Sequence, residues 1–158
     1  MASTNRSGAW ARALTLTACI VALDQITKQL VASNVDPGDS IELAFGIEIT
    51  NVRNTGVAFG LLAGGVGLVV AFTLSTLALV VVYFLVHADR PGLWIAVGLL
   101  CGGALGNLAD RLRDGSVIDF VNLPLWPAFN VADVAIVIGV GLLAGILITA
   151  EGSGEAAH

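Results

Sequence analysis

Two aspartates have neighbours that an ordinary surface acid lacks. Asp119 stands in Val117-Ile118-Asp119-Phe120-Val121, an apolar run followed by Pro124 and Pro127 that reads as extended or irregular rather than helical. Asp133 stands in Phe129-Asn130-Val131-Ala132-Asp133, where a long apolar stretch begins. The intervening residues can fold back and bring the two acids together. Two carboxylates that meet at a half-dry interface cannot both ionise easily, so the pair holds one proton and one water between them. One acid can then take a proton from water while the other protonates a peptide carbonyl and later helps the amine leave. Each role is worth about 10²–10⁴ in rate. Each residue also has a plainer reading. Asn130 three residues before Asp133 resembles a capping box, and an acid in a first helical turn suits the helix dipole. Asp119 could be an interfacial acid facing water, although Val, Ile and Phe surround it. Cap and catalyst are compatible, because the dipole favours Asp133 as the carboxylate and leaves Asp119 to carry the shared proton.

Other polar residues have suggestive spacing. Asn107 and Arg111, at i and i+4, share a helix face in Gly106-Asn107-Leu108-Ala109-Asp110-Arg111. Together they could hold a carboxylate, a peptide carbonyl or a lipid phosphate, or Arg111 could simply anchor a helix end at the interface. Asp24 and Lys28 are also i and i+4, in the order that suits a structural ion pair. Asn54 opens Asn54-Thr55-Gly56-Val57-Ala58-Phe59-Gly60, where it could donate to a substrate backbone or cap a turn. Alternative chemistries are poorly supplied. Lys28 is the sole lysine and has no serine placed beside it, and there is no His-Glu-x-x-His. Cys19 and Cys101 both lie in apolar stretches and form no zinc or CxxC pattern.

The elements that must position these groups follow from composition. Of 158 residues, 56% are hydrophobic and 12% charged, against about 25% charged in a soluble domain. Mean hydropathy is +0.89, which argues against a water-soluble globule. The net charge of −5 excludes a nucleic-acid binder that works through a basic face. A membrane helix needs about 20 apolar residues. Val66–Val86, Gly92–Ala109 and Val134–Ala150 satisfy this, and Ala13–Leu23 does so if continued through Asp24 and Lys28 to about Ala32. We expect a single domain with helices over about 12–32, 66–86, 92–110 and 132–150, and a β region over about 40–60. In that region Ile41, Leu43, Phe45, Ile47 and Ile49 alternate with Glu42, Ala44, Gly46, Glu48 and Thr50, a period of two with Gly46 at a bend. The greasy face could rest on lipid or cover the site. Gly102 and Gly106 form a small-xxx-small pair that lets another helix approach. The tail Glu151–His158 reads as polar and disordered.

Four crossings put both termini on one side and the two long loops on the other. Asp24, Lys28, Asn54, Asn107, Asp110, Arg111, Asp119, Asn130 and Asp133 then gather at one membrane face. Arg6, Arg12 and Arg90 on the terminal side against Lys28, Arg53, Arg111 and Arg113 on the loop side do not orient the chain by count. Arg6 and Arg12 beside the first helix favour cytoplasmic termini.

The chain resembles lipoprotein signal peptidase (signal peptidase II), a family of bacterial membrane aspartic peptidases. The matching blocks are Asp24 to Lys28, Asn54 to Gly60, Gly103 to Arg111, Val117 to Phe120 and Phe129 to Asp133, in family order over most of the chain. The resemblance implies an all-α membrane protein of four transmembrane helices with a small β-sheet, or cradle, on the outer face. It implies Asp119 and Asp133 as the catalytic dyad, and Asn54, Asn107, Arg111 and Asn130 as substrate-positioning residues, with Asp24 supporting the site. Lys28 and Asp110, within the same blocks, are expected to give structural support. Substrates would be prolipoproteins whose lipobox cysteine carries diacylglycerol, cleaved on the amino side of that cysteine. No metal or organic cofactor and no nucleic acid is expected. The enzyme would work as a monomer among membrane lipid in the bacterial inner membrane, its site near the periplasmic face.

Two rival readings carry less. A proton-coupled transporter also uses intramembrane acids, but such acids tend to lie near the midplane, whereas Asp119 and Asp133 lie at span ends. Leu16-Thr17-Ala18-Cys19 looks like a lipobox, but Ile20-Val21-Ala22-Leu23 continues the apolar run, so we read it as a coincidence inside the first helix.

Overall fold

A computed structural model of the chain describes residues 6–56 and 65–155. Val57 to Gly60 of the Asn54 block lie outside the described residues, as do Ala156–His158 of the tail. The element order is α1 (Arg6–Asn34), β1 (Ser40–Ala44), β2 (Ile47–Asn54), α2 (Gly65–His87), α3 (Leu93–Asp114), β3 (Val117–Leu123), β4 (Trp126–Phe129) and α4 (Val131–Glu155). All four helices are long and apolar enough to cross a membrane, and the protein is a multi-pass membrane protein with a small antiparallel sheet at one end.

The helix α3 is central and the most buried of the four. It packs on α1, α4 and α2. Its glycines make this possible. A methyl group at Gly98 would meet Leu16 at 2.9 Å, one at Gly102 would meet Ile20 at 2.6 Å, and one at Gly106 would meet the Asp24 carboxylate at 2.6 Å. Small residues spaced by four thus press one face of α3 onto α1. On another face, Gly103 abuts the Ala132 carbonyl of α4. At the opposite end of the bundle, Phe84 is fully buried among Ala9, Ala13, Ala88, Leu93 and Val97.

The helix α1 begins six residues before the apolar pattern predicts, because its arginines find partners. Arg6 donates to the carbonyls of Leu85 and Val86 at 3.1 and 2.7 Å, satisfying the C-terminal end of α2. Arg12 stacks over Trp94, 5.1 Å from the ring centroid. Cys19 lies inside α1, where the helix continues unbroken to Asn34. At the other terminus α4 runs helical to Glu155, past Ala150, where the apolar run ends.

The sheet order is β1-β2-β3-β4, antiparallel throughout. Its first hairpin turns at Phe45-Gly46, both at positive φ. Its second half comes from the 117–129 loop, where the sequence predicts only extended or irregular chain. In β3, residues Val117 to Phe120 are all buried, so no polar–apolar alternation marks the strand. The alternating strand β1 is exposed along its length and lies at the sheet edge, two strands from β3.

Candidate active site

β3 carries Asp119 as a buried residue, 2% exposed. It pairs with Val52 of β2. Asn54, two residues further along β2, therefore points from the same face and reaches diagonally across. Its Nδ2 donates to Asp119 Oδ2 at 2.8 Å. Its Oδ1 is already occupied by the Gly56 N–H at 2.7 Å, an Asx turn that fixes which way the amide faces. The other carboxylate oxygen, Asp119 Oδ1, accepts from Asn130 Nδ2 at 2.7 Å.

Asp133 occupies the first turn of α4, and the capping box is present in both directions. The Asp133 N–H donates to Asn130 Oδ1 at 3.0 Å, and the Asn130 N–H donates to Asp133 Oδ2 at 3.2 Å. Asn107 Nδ2 donates to Asp133 Oδ1 at 2.8 Å. One buried residue, Asn130, thus reaches both carboxyl groups, with its side-chain Nδ2 on Asp119 and its backbone N–H on Asp133, while its Oδ1 holds the Asp133 N–H.

A buried ion cluster stands behind the amides. Lys28 Nζ lies 2.7 Å from Asp24 Oδ2, 2.8 Å from Asp110 Oδ2 and 2.8 Å from Asn107 Oδ1. The contacts to Asp24 and Asn107 are hydrogen bonds and that to Asp110 is an ion pair, and all four residues are at most 5% exposed. Asn107 Oδ1 also accepts from Asn130 Nδ2 at 3.1 Å. With its oxygen held by two donors, the Asn107 amide has only its N–H group to turn toward Asp133. Asp24 Oδ1 accepts the Ala132 N–H at 3.0 Å, tying α1 to the residue before Asp133.

Eight of the nine polar residues singled out in the sequence belong to this one network. The ninth, Arg111, stands beside it, with Nη1 3.5 Å from the Asn107 carbonyl. Its Nε is buried and has no partner among the described residues. Arg111, Asn107 and Asp133 form the polar end of a cleft of about 310 Å³ between α2, α3 and α4, whose walls include Phe72, Thr73, Thr76 and Ile136. Sequence reasoning missed Gln25, whose Nε2 donates to Asp110 Oδ1 at 2.9 Å. Its position beside Asp24 was the available signal. It also missed Gly103, adjacent to the Gly102/Gly106 pair.

Burial pushes the Asp119 carboxyl above its ordinary value, and the nearby Asp133 charge adds to this. The hydrogen bonds from Asn54 and Asn130 and the charge of Lys28 act in the opposite direction without cancelling it. Among the described residues, no group of histidines, cysteines and acids is arranged to hold a metal ion.

The chain matches known proteins over most of its length. The family described as "Signal peptidase (SPase) II" matches residues 16–149. The lipoprotein signal peptidase of Moorella thermoacetica is 41% identical over 141 residues, covering 88% of this chain and 94% of that protein. That of Pelotomaculum thermopropionicum is 44% identical over 133 residues, covering 83% and 88%. Two solved structures, each described as a bacterial membrane enzyme structure determined in meso, align with TM-scores of 0.78 and 0.70. They are 34% and 31% identical, and the first covers 87% of both chains.

Proposed function

The chain belongs to the signal peptidase II family, peptidases that remove signal peptides from lipoproteins, and on that premise we propose that Asp119 and Asp133 are its catalytic dyad. Asp133, as carboxylate, takes a proton from a water held between the acids. The resulting hydroxide attacks the scissile carbonyl carbon. Asp119, whose burial favours the protonated form, gives its proton to the carbonyl oxygen; as the C–N bond breaks, Asp133 passes the proton taken from water to the departing amine and Asp119 takes its own back from the tetrahedral diol. The substrate is a prolipoprotein with a diacylglyceryl-modified cysteine, cut on the amino side of that cysteine. Asn54, Asn107, Arg111 and Asn130 position the dyad and the substrate backbone, and Asp24, Lys28 and Asp110 hold Asn107 in place. The enzyme acts as a monomer in the bacterial inner membrane, with both termini cytoplasmic and the dyad near the periplasmic surface.

The observation that carries this reading is one buried residue, Asn130, bonded to both carboxyl groups, its side-chain Nδ2 2.7 Å from Asp119 Oδ1 and its backbone N 3.2 Å from Asp133 Oδ2. A pair of surface acids has no need of a shared buried asparagine. The test is cleavage of a diacylglyceryl-modified prolipoprotein followed by gel shift. Asp119→Asn and Asp133→Asn, each with a normal melting transition in detergent, should both leave the precursor uncut. Cleavage by either variant would overturn the dyad assignment.

A further inference from the structure

Asp133 borders two clefts, and they differ in chemistry. The first takes Asp133, Ile136 and Val140 from α4 and adds Thr73, Thr76, Asn107 and Arg111. The second, about 450 Å³, takes Asp133, Val134, Val137 and Ile138 from the adjacent face of the same helix and closes against Leu123, Trp126 and Phe129 of the second hairpin. At 100° per residue, Ile136 and Val140 fall on one side of Asp133, and Val134, Val137 and Ile138 fall on the other. Asp133 therefore sits where α4 divides two openings.

We infer that the two halves of the substrate leave the dyad on opposite sides of α4: the signal peptide occupies the α2–α4 cleft, and an acyl chain of the lipidated cysteine occupies the cleft between the β3–β4 hairpin and α4. The inference rests on the peptidase reading above and adds the place of the lipid. A peptide needs partners for its N–H and C=O groups, and each one buried without a partner is costly. The first cleft offers them, including the unpartnered Arg111 Nε. The second is lined by apolar side chains apart from Asp133 at its inner end and the indole N–H of Trp126. The edge strand beside it, β4, is four residues long and contains Pro127, so it offers little to an extended peptide. An acyl chain needs no hydrogen bonds and gains from each methylene covered. Trp126, 65% exposed, and Val137, 71% exposed, form the outer walls, so the cleft opens sideways where lipid lies.

The test uses the full-length enzyme in detergent and two prolipoprotein peptides of one sequence, with palmitoyl or butyryl chains on the lipidated cysteine. Val137→Trp fills the second cleft and Val140→Trp fills the first. Both replace residues exposed in the bundle, so folding should tolerate them, and Ile138→Trp repeats the first perturbation at a second position. Wild type should show a lower KM for the palmitoyl peptide. Val137→Trp and Ile138→Trp should shrink that advantage about tenfold, the worth of roughly two covered methylenes. Val140→Trp should leave the KM ratio at its wild-type value. A ratio unmoved by Val137→Trp and Ile138→Trp, or moved instead by Val140→Trp, would overturn the inference. Either result leaves the dyad intact, because wild type would still cut both peptides and Asp119→Asn neither.

Discussion

Replacing Gly103 by alanine adds one methyl group that touches neither acid, yet it should strike the site hard. The new Cβ would overlap the Ala132 carbonyl oxygen, lie 2.8 Å from Ile136 Cγ1 and lie 3.2 Å from the Ala132 carbonyl carbon, where ordinary contact begins at 3.4 Å. Ile136 could swing away, but the Ala132 carbonyl is backbone in the first turn of α4. Relief must come from parting α3 and α4 by roughly 1 Å, and a displacement of that size at reacting groups costs about 10²-fold in rate. Asp133 moves with Ala132, while its partner Asn107 stays on α3, so the 2.8 Å bond between them stretches. Overpacking of this kind costs about 1–3 kcal/mol in stability. Gly141→Ala is the matched control, since nothing lies within 4 Å of its Cβ and alanine favours a helix by up to about 1 kcal/mol. Initial cleavage rates and melting in detergent should separate the two, with Gly103→Ala slow and less stable and Gly141→Ala at wild-type rate. A Gly103→Ala enzyme with full kcat would refute the claim that α3–α4 contact sets the dyad geometry.

Further outcomes are expected at the buried cluster and at the dyad. Lys28→Met leaves Asp24, at 0% exposure, without its counter-charge and Asp110, at 1%, with only the exposed Arg113 at 3.4 Å, and should destabilise the fold by about 3–5 kcal/mol, read from denaturant unfolding in detergent micelles. Because the Asp119 carboxyl is held above its ordinary value, it keeps the shared proton as pH rises and loses it only on passing that raised pKa. Cleavage should therefore have an alkaline limb set by Asp119. Asn54→Ala removes a hydrogen bond that lowers this pKa, so the limb in kcat/KM should move to higher pH. A limb that moved to lower pH would contradict the assignment.

The parts of the site that were readable in sequence are those whose signal is local. The Asn130/Asp133 cap lies within four residues, the Asp24/Lys28 pair within one turn, and the small face of α3 repeats every fourth residue. Long apolar spans announce themselves for the same reason. What escaped depends on distant partners. β3 is buried on both faces and so lacks the alternation that reveals a half-exposed strand. β1 has that alternation and proved to be the edge strand. The Asp24–Lys28 spacing suggested a simple ion pair, but no local pattern could show that Asp110 and Asn107, some eighty residues away, also surround the ammonium. Gln25 and Gly103 were missed likewise, since their partners come from other elements.

The hydrogen bond from the Ala132 N–H to Asp24 joins residues 108 positions apart, and it bears on how the enzyme comes into being. A nascent chain that has completed α3 already has Lys28, Asp110 and Asn107, with Asp24 holding one oxygen for a residue not yet made. Neither the second acid nor the amide that joins it to the first exists until the final helix follows. With Asp119 and Asp133 as the proposed dyad, hydrolytic power arrives as the last step of assembly, and a half-inserted chain meets its neighbours in the membrane without the means to cut them.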